Sequence, residues 1–415
     1  MVHWRSHSLR RSASLLVFLS SLVAFAAGAT PVCGAPKVGA DAAAVAGTAD
    51  LAFDTEALCA VLRRIATPEA NLHGVVVERG GKLLLEAYFD GVDNPGGSLF
   101  SRAASFAPDD LHDVRSVSKS VTALLFGIAV DRGLVKSVDT PVLDHFPEHA
   151  DLKASPRSRI TLAHLLGMSS GLDWDESGSY VRPGNSETRM RFASDPDRYV
   201  LERELVAEPG ERFNYNGGGT ALLGEVLARA TGVPLEAFAG EALFRPLGIQ
   251  RSEWRRDQKG RVTPFGGLRL RPRDMARIGR LVLNRGAWNG RQVVSSAWID
   301  AMVKSRLPAG RLHYGWQWWL GEVQAGEARH PYVAAFGNGG QRIFVVPPLD
   351  LVVVVTAGQY NKETSWRAPL RVLHDVVAMT RRHGGRWAVG GNQRAPCPQP
   401  SQPLMRRASA SRLMP

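Results

Sequence analysis

Cysteine is scarce in this chain: Cys33, Cys59 and Cys397 are the only three in 415 residues. Their separations match no metal-ligand spacing, which excludes a zinc-finger type of framework. Lysine is scarce too, eight residues against 43 arginines, so a lysine set beside a nucleophile stands out. Long apolar runs are missing apart from one near the N-terminus, from about Ala13 to Ala27, shorter than the ~20 residues that a membrane-spanning helix needs. No internal repeat is evident, and no basic stripe interleaved with aromatics points to nucleic acid.

What is there completes these exclusions. The apolar run follows Arg5, Arg10 and Arg11 and precedes the small residues Ala27-Gly28-Ala29, the pattern of an export signal cleaved after Ala29. The mature chain is therefore expected in the periplasm or the medium, without a stable membrane span. Export makes a disulfide available to two of the cysteines. Cys33 and Cys59 are the nearer pair, and the sequence leaves the pairing open. The formal charge of +12 is largely terminal: three arginines lie in the signal and seven follow Asp375, a stretch with no acid. From about residue 384 the tail is rich in Pro, Ser, Gln and Gly, a composition that predicts disorder.

Between the ends, residues 30–53 read as a small-residue linker and 54–383 as one domain. Leu58, Val61, Leu62 and Ile65 have helical spacing within Thr55 to Ile65. Leu72 to Glu78 and Lys82 to Phe89 read as strands joined across Arg79-Gly80-Gly81. From about 139 to 305 the pattern is helices and loops without a strong strand. These helices are Leu162 to Leu166, Ala221 to Thr231, Leu235 to Phe244, Asp274 to Asn284 and Ser296 to Lys304. Strand character returns at Tyr314 to Leu320, Arg342 to Val346 and Leu351 to Ala357, before a helix from Ser365 to about Met379. Strands at both ends with helices between imply an α/β (α+β) fold, a sheet assembled from distant parts with a helical insertion.

One tetrapeptide organises the chemistry. Ser116-Val117-Ser118-Lys119 heads the apolar run Val121 to Val130, and in a helix the hydroxyl of Ser116 and the amine of Lys119 share a face. A nucleophile then stands beside a base at a helix N-terminus, where unpaired N–H groups favour developing negative charge. Lys119 is the only lysine with a serine three residues before it. Taken alone, S-x-x-K equally describes a surface lysine on an ordinary helix. Gly167-Met168-Ser169-Ser170-Gly171 matches the elbow of α/β-hydrolases, which needs a strand before and a helix after. Here a short helix capped by Thr161 precedes it and a loop follows, so a helix-ending turn explains it better.

Two glycine-rich turns complete the set. Tyr215 lies in Phe213-Asn214-Tyr215-Asn216-Gly217-Gly218-Gly219, before a helix expected from Thr220. Asn338-Gly339-Gly340-Gln341 precedes the strand at Ile343. Packing and a plain hairpin account for either one by itself.

Together these segments resemble the serine β-lactamase and penicillin-binding-protein superfamily, closest to its class C-like branch of esterases and 6-aminohexanoate-dimer-type amide hydrolases. The resemblance spans roughly Leu72 to Arg381. It rests on the order Ser116-x-x-Lys119, Thr161-Leu-x-His164-Leu-Leu with Ser170-Gly171-Leu172, Tyr215-Asn216-Gly217, Pro246-Leu247-Gly248-Ile249, Gly266-Gly267-Leu268 to Asp274-Met275-Ala276-Arg277, and Gly339-Gly340-Gln341. It implies an antiparallel sheet of N- and C-terminal strands flanked by helices. It also implies acyl-enzyme chemistry without a cofactor or metal on a small ester or amide. Ser116 would be the nucleophile, Lys119 its base and Tyr215 a proton relay, with Gln341 and Ser116 supplying oxyanion N–H groups beside Gly340.

Two departures bear on the substrate. Gly217 stands where the family often has Asn or Ser, so a side-chain contact to the substrate is absent or falls to Asn216. Asn338 stands where Lys or His is usual, which removes a positive charge that receives a substrate carboxylate. Both weigh against antibiotic hydrolysis and D-alanyl-D-alanine peptidase activity, the second reading. A third is a non-catalytic module of the same fold that binds acyl or peptide ligands. Trp174, Tyr180, Trp316, Trp318 and Trp319 are candidates for an apolar substrate wall.

Overall fold

The computed structural model describes residues 32–36 and 54–382, apart from 97, 99 and 181. The export signal, most of the linker, Cys397 and the basic tail lie outside the described residues. The centre is an antiparallel sheet of nine strands. In chain order they are β1 (Val32–Gly34), β2 (Leu72–Arg79), β3 (Lys82–Tyr88), β4 (Leu307–Ala309), β5 (Leu312–Tyr314), β6 (Trp319–Ala325), β7 (Ala328–Gly337), β8 (Gln341–Val346) and β9 (Leu351–Ala357). The spatial order is β1-β3-β2-β9-β8-β7-β6-β5-β4. Sequence ends meet where β9 pairs with β2, Val353 opposite Val77 and Val354 opposite Val76.

Every residue of β2 and of β9 is buried. Continuous valine runs, rather than alternation, mark strands covered on both faces. On one face Val76, Ile343, Val345, Val352 and Val354 meet the Val117–Asp131 helix and the inserted region. On the other, Val75, Val77, Val353 and Val355 meet Leu58 and Leu62 of the Thr55–Ile65 helix and Val372, Leu373 and Val376 of the Arg367–Arg382 helix. The Val117–Asp131 helix is buried almost all round, as its uniformly apolar sequence requires. It runs close to its neighbours: a Cβ on Gly127 would stand 2.3 Å from the Trp298 ring. Gly133, at φ +70°, takes the left-handed position just beyond its end.

Several expectations need correction. The linker contains β1, which pairs with Glu86–Tyr88 and is tied to the Thr55–Ile65 helix by a Cys33–Cys59 disulfide, so it covers an otherwise open sheet edge. The strand expected over Tyr314 to Leu320 is broken at Gln317, whose φ is +60°. Its side-chain amide donates to the Leu165 and Leu166 carbonyls and accepts from the Thr220 hydroxyl, which bends the chain to fasten the helices to the sheet. Strand β7 escaped the sequence reading because Pro331, lacking an N–H, interrupts its signal. The Gly217–Thr231 helix opens three residues before the expected Thr220, with Asn216 as cap through Gly219 N–H at 3.0 Å. Two short helices, Ser186–Phe192 and Pro196–Leu201, capped by Asn185 and Asp195, were not expected. Within 139–305 the described strands are only two or three residues long, apart from the sheet itself.

Candidate active site

Ser116 is the cap residue of the Val117–Asp131 helix, but its side chain makes no capping bond. The hydroxyl is left for Lys119, whose Nζ stands 3.1 Å from Ser116 Oγ. Lys119 also donates to the Phe265 carbonyl at 2.8 Å and is 1% exposed. Tyr215 completes the group: its hydroxyl is close enough to Ser116 to interact with it, and its ring lies 4.9 Å from Lys119 Nζ. Burial, then the Glu176 charge, pushes the phenol well above its ordinary value, against the opposing effect of Ser116. Tyr215 is therefore a neutral phenol at ordinary pH.

Lys119 heads an apolar helix run, but its surroundings are not apolar alone. Glu176 Oε1 and Glu187 Oε2 each lie 3.8 Å from its Nζ, and both side chains are almost fully buried. Glu176 accepts from Gly217 N–H at 2.6 Å, Trp174 Nε1 at 2.8 Å and the Tyr180 hydroxyl at 2.9 Å. The two carboxyl groups are also hydrogen-bonded to each other. Burial pushes Glu176 up to about 7, helped by the Glu187 charge and opposed by Lys119. For Glu187 burial works against the charge, but Arg191 at 2.9 Å and Lys119 outweigh it and hold the group below its ordinary value. Like charges that close favour a shared proton.

Neither glutamate was found from the sequence, since an acid is informative only once it is known to be buried. One signal was present in Gly217. A Cβ there would stand 2.7 Å from Glu187 Oε2 and 3.0 Å from Glu176 Oε2, so the second motif lacks its usual side chain because two carboxylates occupy that space. Asn216 keeps its Nδ2 without a partner among the described residues. Its Oδ1 caps the helix and the residue is buried.

The third motif is also rearranged. Asn338 Nδ2 donates to Asn361 Oδ1 and Asn361 N–H to Asn338 Oδ1, both at 2.8 Å, so the side chain is engaged at both ends. Gln341 is 0% exposed, its side-chain amide bound to the backbone of Ala357 and its backbone paired with Gly337 in the sheet. Gly340, at φ +104°, packs against Ala357 and likewise serves the turn. The backbone that faces the nucleophile is earlier. A Cβ on Gly337 would lie 2.3 Å from the Val114 carbonyl oxygen and 3.2 Å from Arg115 Cβ. The next N–H, of Asn338, has no acceptor among the described residues, and neither has that of Ser116. Asn338 and Ser116 are both half-buried rather than closed off.

Of the aromatic candidates, Trp318, Trp174 and Trp316 are core residues at 0%, 4% and 6% exposure. Trp319 is half-buried, stacked between Tyr215 at 6.0 Å and Phe336 at 5.4 Å. Tyr180 is half-buried and spends its hydroxyl on Glu176. Ser169 lies in the turn that ends the Leu162–Leu166 helix, its N–H and hydroxyl both bound to the His164 carbonyl, at 2.8 and 3.5 Å. Among the described residues no cluster of three His, Cys, Asp or Glu side chains is placed to hold a metal ion, and no helix is long and apolar enough to cross a membrane.

Known proteins are similar to this chain. The family model described as beta-lactamase matches residues 62–377. The 6-aminohexanoate-dimer hydrolase of Paenarthrobacter ureafaciens is 28% identical over 318 residues, covering 71% of this chain and 72% of its own. The esterase EstB of Burkholderia gladioli is 30% identical over 220 residues, 51% of this chain and 52% of its own. A class C beta lactamase structure from Rhodobacter sphaeroides superposes with a TM-score of 0.56 at 20% identity, over 78% of this chain and 98% of that one, a likeness of fold. With the matched segment running from the Thr55–Ile65 helix to the Arg367–Arg382 helix, the chain belongs to the beta-lactamase family.

Proposed function

We propose that the protein is an exported serine hydrolase that cleaves a carboxylic ester or a linear amide through an acyl-enzyme. The observation that carries this reading is the hydroxyl of Ser116 held by the buried Lys119, at 3.1 Å, with Tyr215 beside both. In its deprotonated form Lys119 takes the Ser116 proton as Oγ attacks the carbonyl carbon. The ammonium so formed lies 3.8 Å from each of two carboxyl groups that already share a proton. Tyr215, a neutral phenol in contact with both Ser116 and Lys119, passes the proton to the leaving group and later takes one from the hydrolytic water.

The oxyanion lies between the backbone N–H groups of Ser116 and Asn338, which replaces the expected Gln341. Each such donor is typically worth roughly 3–4 kcal/mol in the transition state. The Cys33–Cys59 disulfide supports the reading of an oxidising compartment, the periplasm or the medium.

The substrate is a neutral ester or amide. Asn338 offers no cation to a carboxylate, and the accessible wall is the Tyr215, Trp319 and Phe336 stack. The named activities of the similar hydrolase and esterase support cleavage of an amide or an ester bond.

Intact-mass analysis after a fluorophosphonate should show one adduct, located on Ser116 and absent from Ser116→Ala. Turnover should be highest on p-nitrophenyl esters or a linear amide dimer and low on a chromogenic cephalosporin. Stoichiometric binding without product release would favour the non-catalytic module, and an adduct on Ser169 would remove the assignment.

A further inference from the structure

Arg342, the second residue of β8, is 6% exposed, and no carboxylate pairs with it among the described residues. Burial pushes its guanidinium down to about 10. An unpaired buried cation is costly unless its N–H groups are satisfied. Its Nη1 donates to the Gly337 carbonyl at 2.7 Å and to the Gln341 carbonyl at 2.8 Å, and the guanidinium carbon lies 4.5 Å over the Phe336 ring. The cation thus clamps both ends of the turn Asn338-Gly339-Gly340. Tyr215 is close enough to feel its charge, which helps lower the phenol.

The Gly337 carbonyl belongs to the same peptide unit as the Asn338 N–H. In a trans peptide these two bonds point in opposite directions. A guanidinium fixed on the oxygen side therefore holds the N–H pointing away from it, and by drawing electron density toward the oxygen makes that N–H a stronger donor. The Gly340 N–H, 3.3 Å from the same oxygen, adds to the pull. On the other side, Gly337 is pressed against Val114 and Arg115, directly before the nucleophile.

We infer that Arg342 is a positioning residue for the reaction: through the Gly337–Asn338 peptide it orients and polarises one of the two oxyanion donors. This rests on the acyl-enzyme reading above. Arg342 touches no reacting atom. Its effect is confined to the charged tetrahedral stage, since a neutral substrate carbonyl gains far less from a polarised N–H than an oxyanion does.

The test compares Arg342→Gln and Arg342→Lys with the wild-type protein. Hydrolysis of p-nitrophenyl butyrate gives kcat and KM, and an aryl boronate, which forms an anionic tetrahedral adduct on serine, gives a Ki. For Arg342→Gln the expected result is a fall of about 100-fold in kcat with KM within about threefold, and a boronate Ki weakened in parallel with kcat/KM. Arg342→Lys keeps the charge but replaces the rigid planar group that holds Nη1 on both carbonyls with a flexible ammonium, so a loss of about tenfold is expected. It carries the test if the glutamine variant does not fold. Wild-type turnover with unchanged kcat and Ki in the folded variant would overturn this inference and leave the hydrolase reading standing. A drop in melting temperature alone would do the same. No turnover and no boronate adduct in the wild type would overturn both.

Discussion

Arg115, the residue before Ser116, has φ +53°, and its guanidinium lies 4.4 Å over the ring of Tyr360. A left-handed conformation costs a side-chain-bearing residue about 1–2 kcal/mol, and glycine avoids that cost. Here the side chain offsets it by anchoring the turn: Nη2 donates to the Asn94 carbonyl at 2.7 Å, and Nε lies 3.6 Å from Asp113. Arg115→Ala loses the anchors and keeps the strain, whereas Arg115→Gly loses the anchors alone. The glycine variant should be the more stable by about 1 kcal/mol and the more active of the two. Urea unfolding and ester turnover decide this, and equal behaviour of the two variants would mean that the backbone conformation is unimportant.

The Glu176 carboxyl titrates near 7, so the cluster around Lys119 loses a proton as pH rises through that value. More of the site is then in its base form. The kcat/KM of the wild type should rise with an inflection near 7, belonging to the coupled group rather than to one residue. Glu176→Gln keeps the shape and cannot titrate. Its profile should lack that inflection, and a profile identical to wild type would rule out Glu176 as its source.

Gly217→Ser restores a residue common at this point in the family, and by helix propensity alone it should be mildly stabilising. The structure predicts the opposite, since a Cβ would stand 2.7 Å from Glu187 Oε2. A loss of at least about 1 kcal/mol in stability and roughly tenfold in activity is expected. Thermal melts and ester kinetics of the variant are sufficient to check it.

Trp319, stacked between Tyr215 and Phe336, is the part of the aromatic wall left accessible. Trp319→Ala should raise KM about tenfold for a long-chain p-nitrophenyl ester and much less for the acetate, because only the former has apolar surface to bury there. Equal increases for both esters would point to displacement of Tyr215 instead.

A second titrating pair lies outside the site. Burial pushes His73 down to about 4, and His112 well below its ordinary value, with Phe106 stacked 3.9 Å from the His73 ring. Both are neutral in the fold, whereas the unfolded chain takes up protons near 6.5. Their contribution to stability is therefore full above that value and is lost as pH falls toward 4, at up to about 1.4 kcal/mol per pH unit for each histidine. The urea midpoint should drop over this interval, and His73→Phe should flatten the drop. An unchanged slope in that variant would assign the acid sensitivity elsewhere.

Local pattern was enough for much of the scaffold. The helices Thr55–Ile65 and Leu162–Leu166 and strand β9 were legible to the residue, because each is bounded by a cap or a turn and carries its own periodicity. Strand β7 was hidden by Pro331, and the break at Gln317 by contacts to helices more than 90 residues away in sequence, at Thr220 and beyond. Ser116 and Lys119 were legible for the same reason as the helices: they are one turn apart, so helical spacing alone brings them together.

What the sequence by itself determined is the set of groups that local geometry and a family resemblance can bring together: the S-x-x-K pair, Tyr215 at a helix entrance and a glycine-rich turn near Gln341. Tertiary structure alone decided what surrounds them. Glu176 and Glu187 reach Lys119 across 57 and 68 residues of chain, the N–H of the third motif left without an acceptor belongs to Asn338, and a buried cation stands at Arg342 on the far side of the same peptide. The reason is physical: a hydrogen bond one turn long is written in the spacing of residues, whereas burial, counter-charge and the direction of a peptide exist only after distant segments have packed.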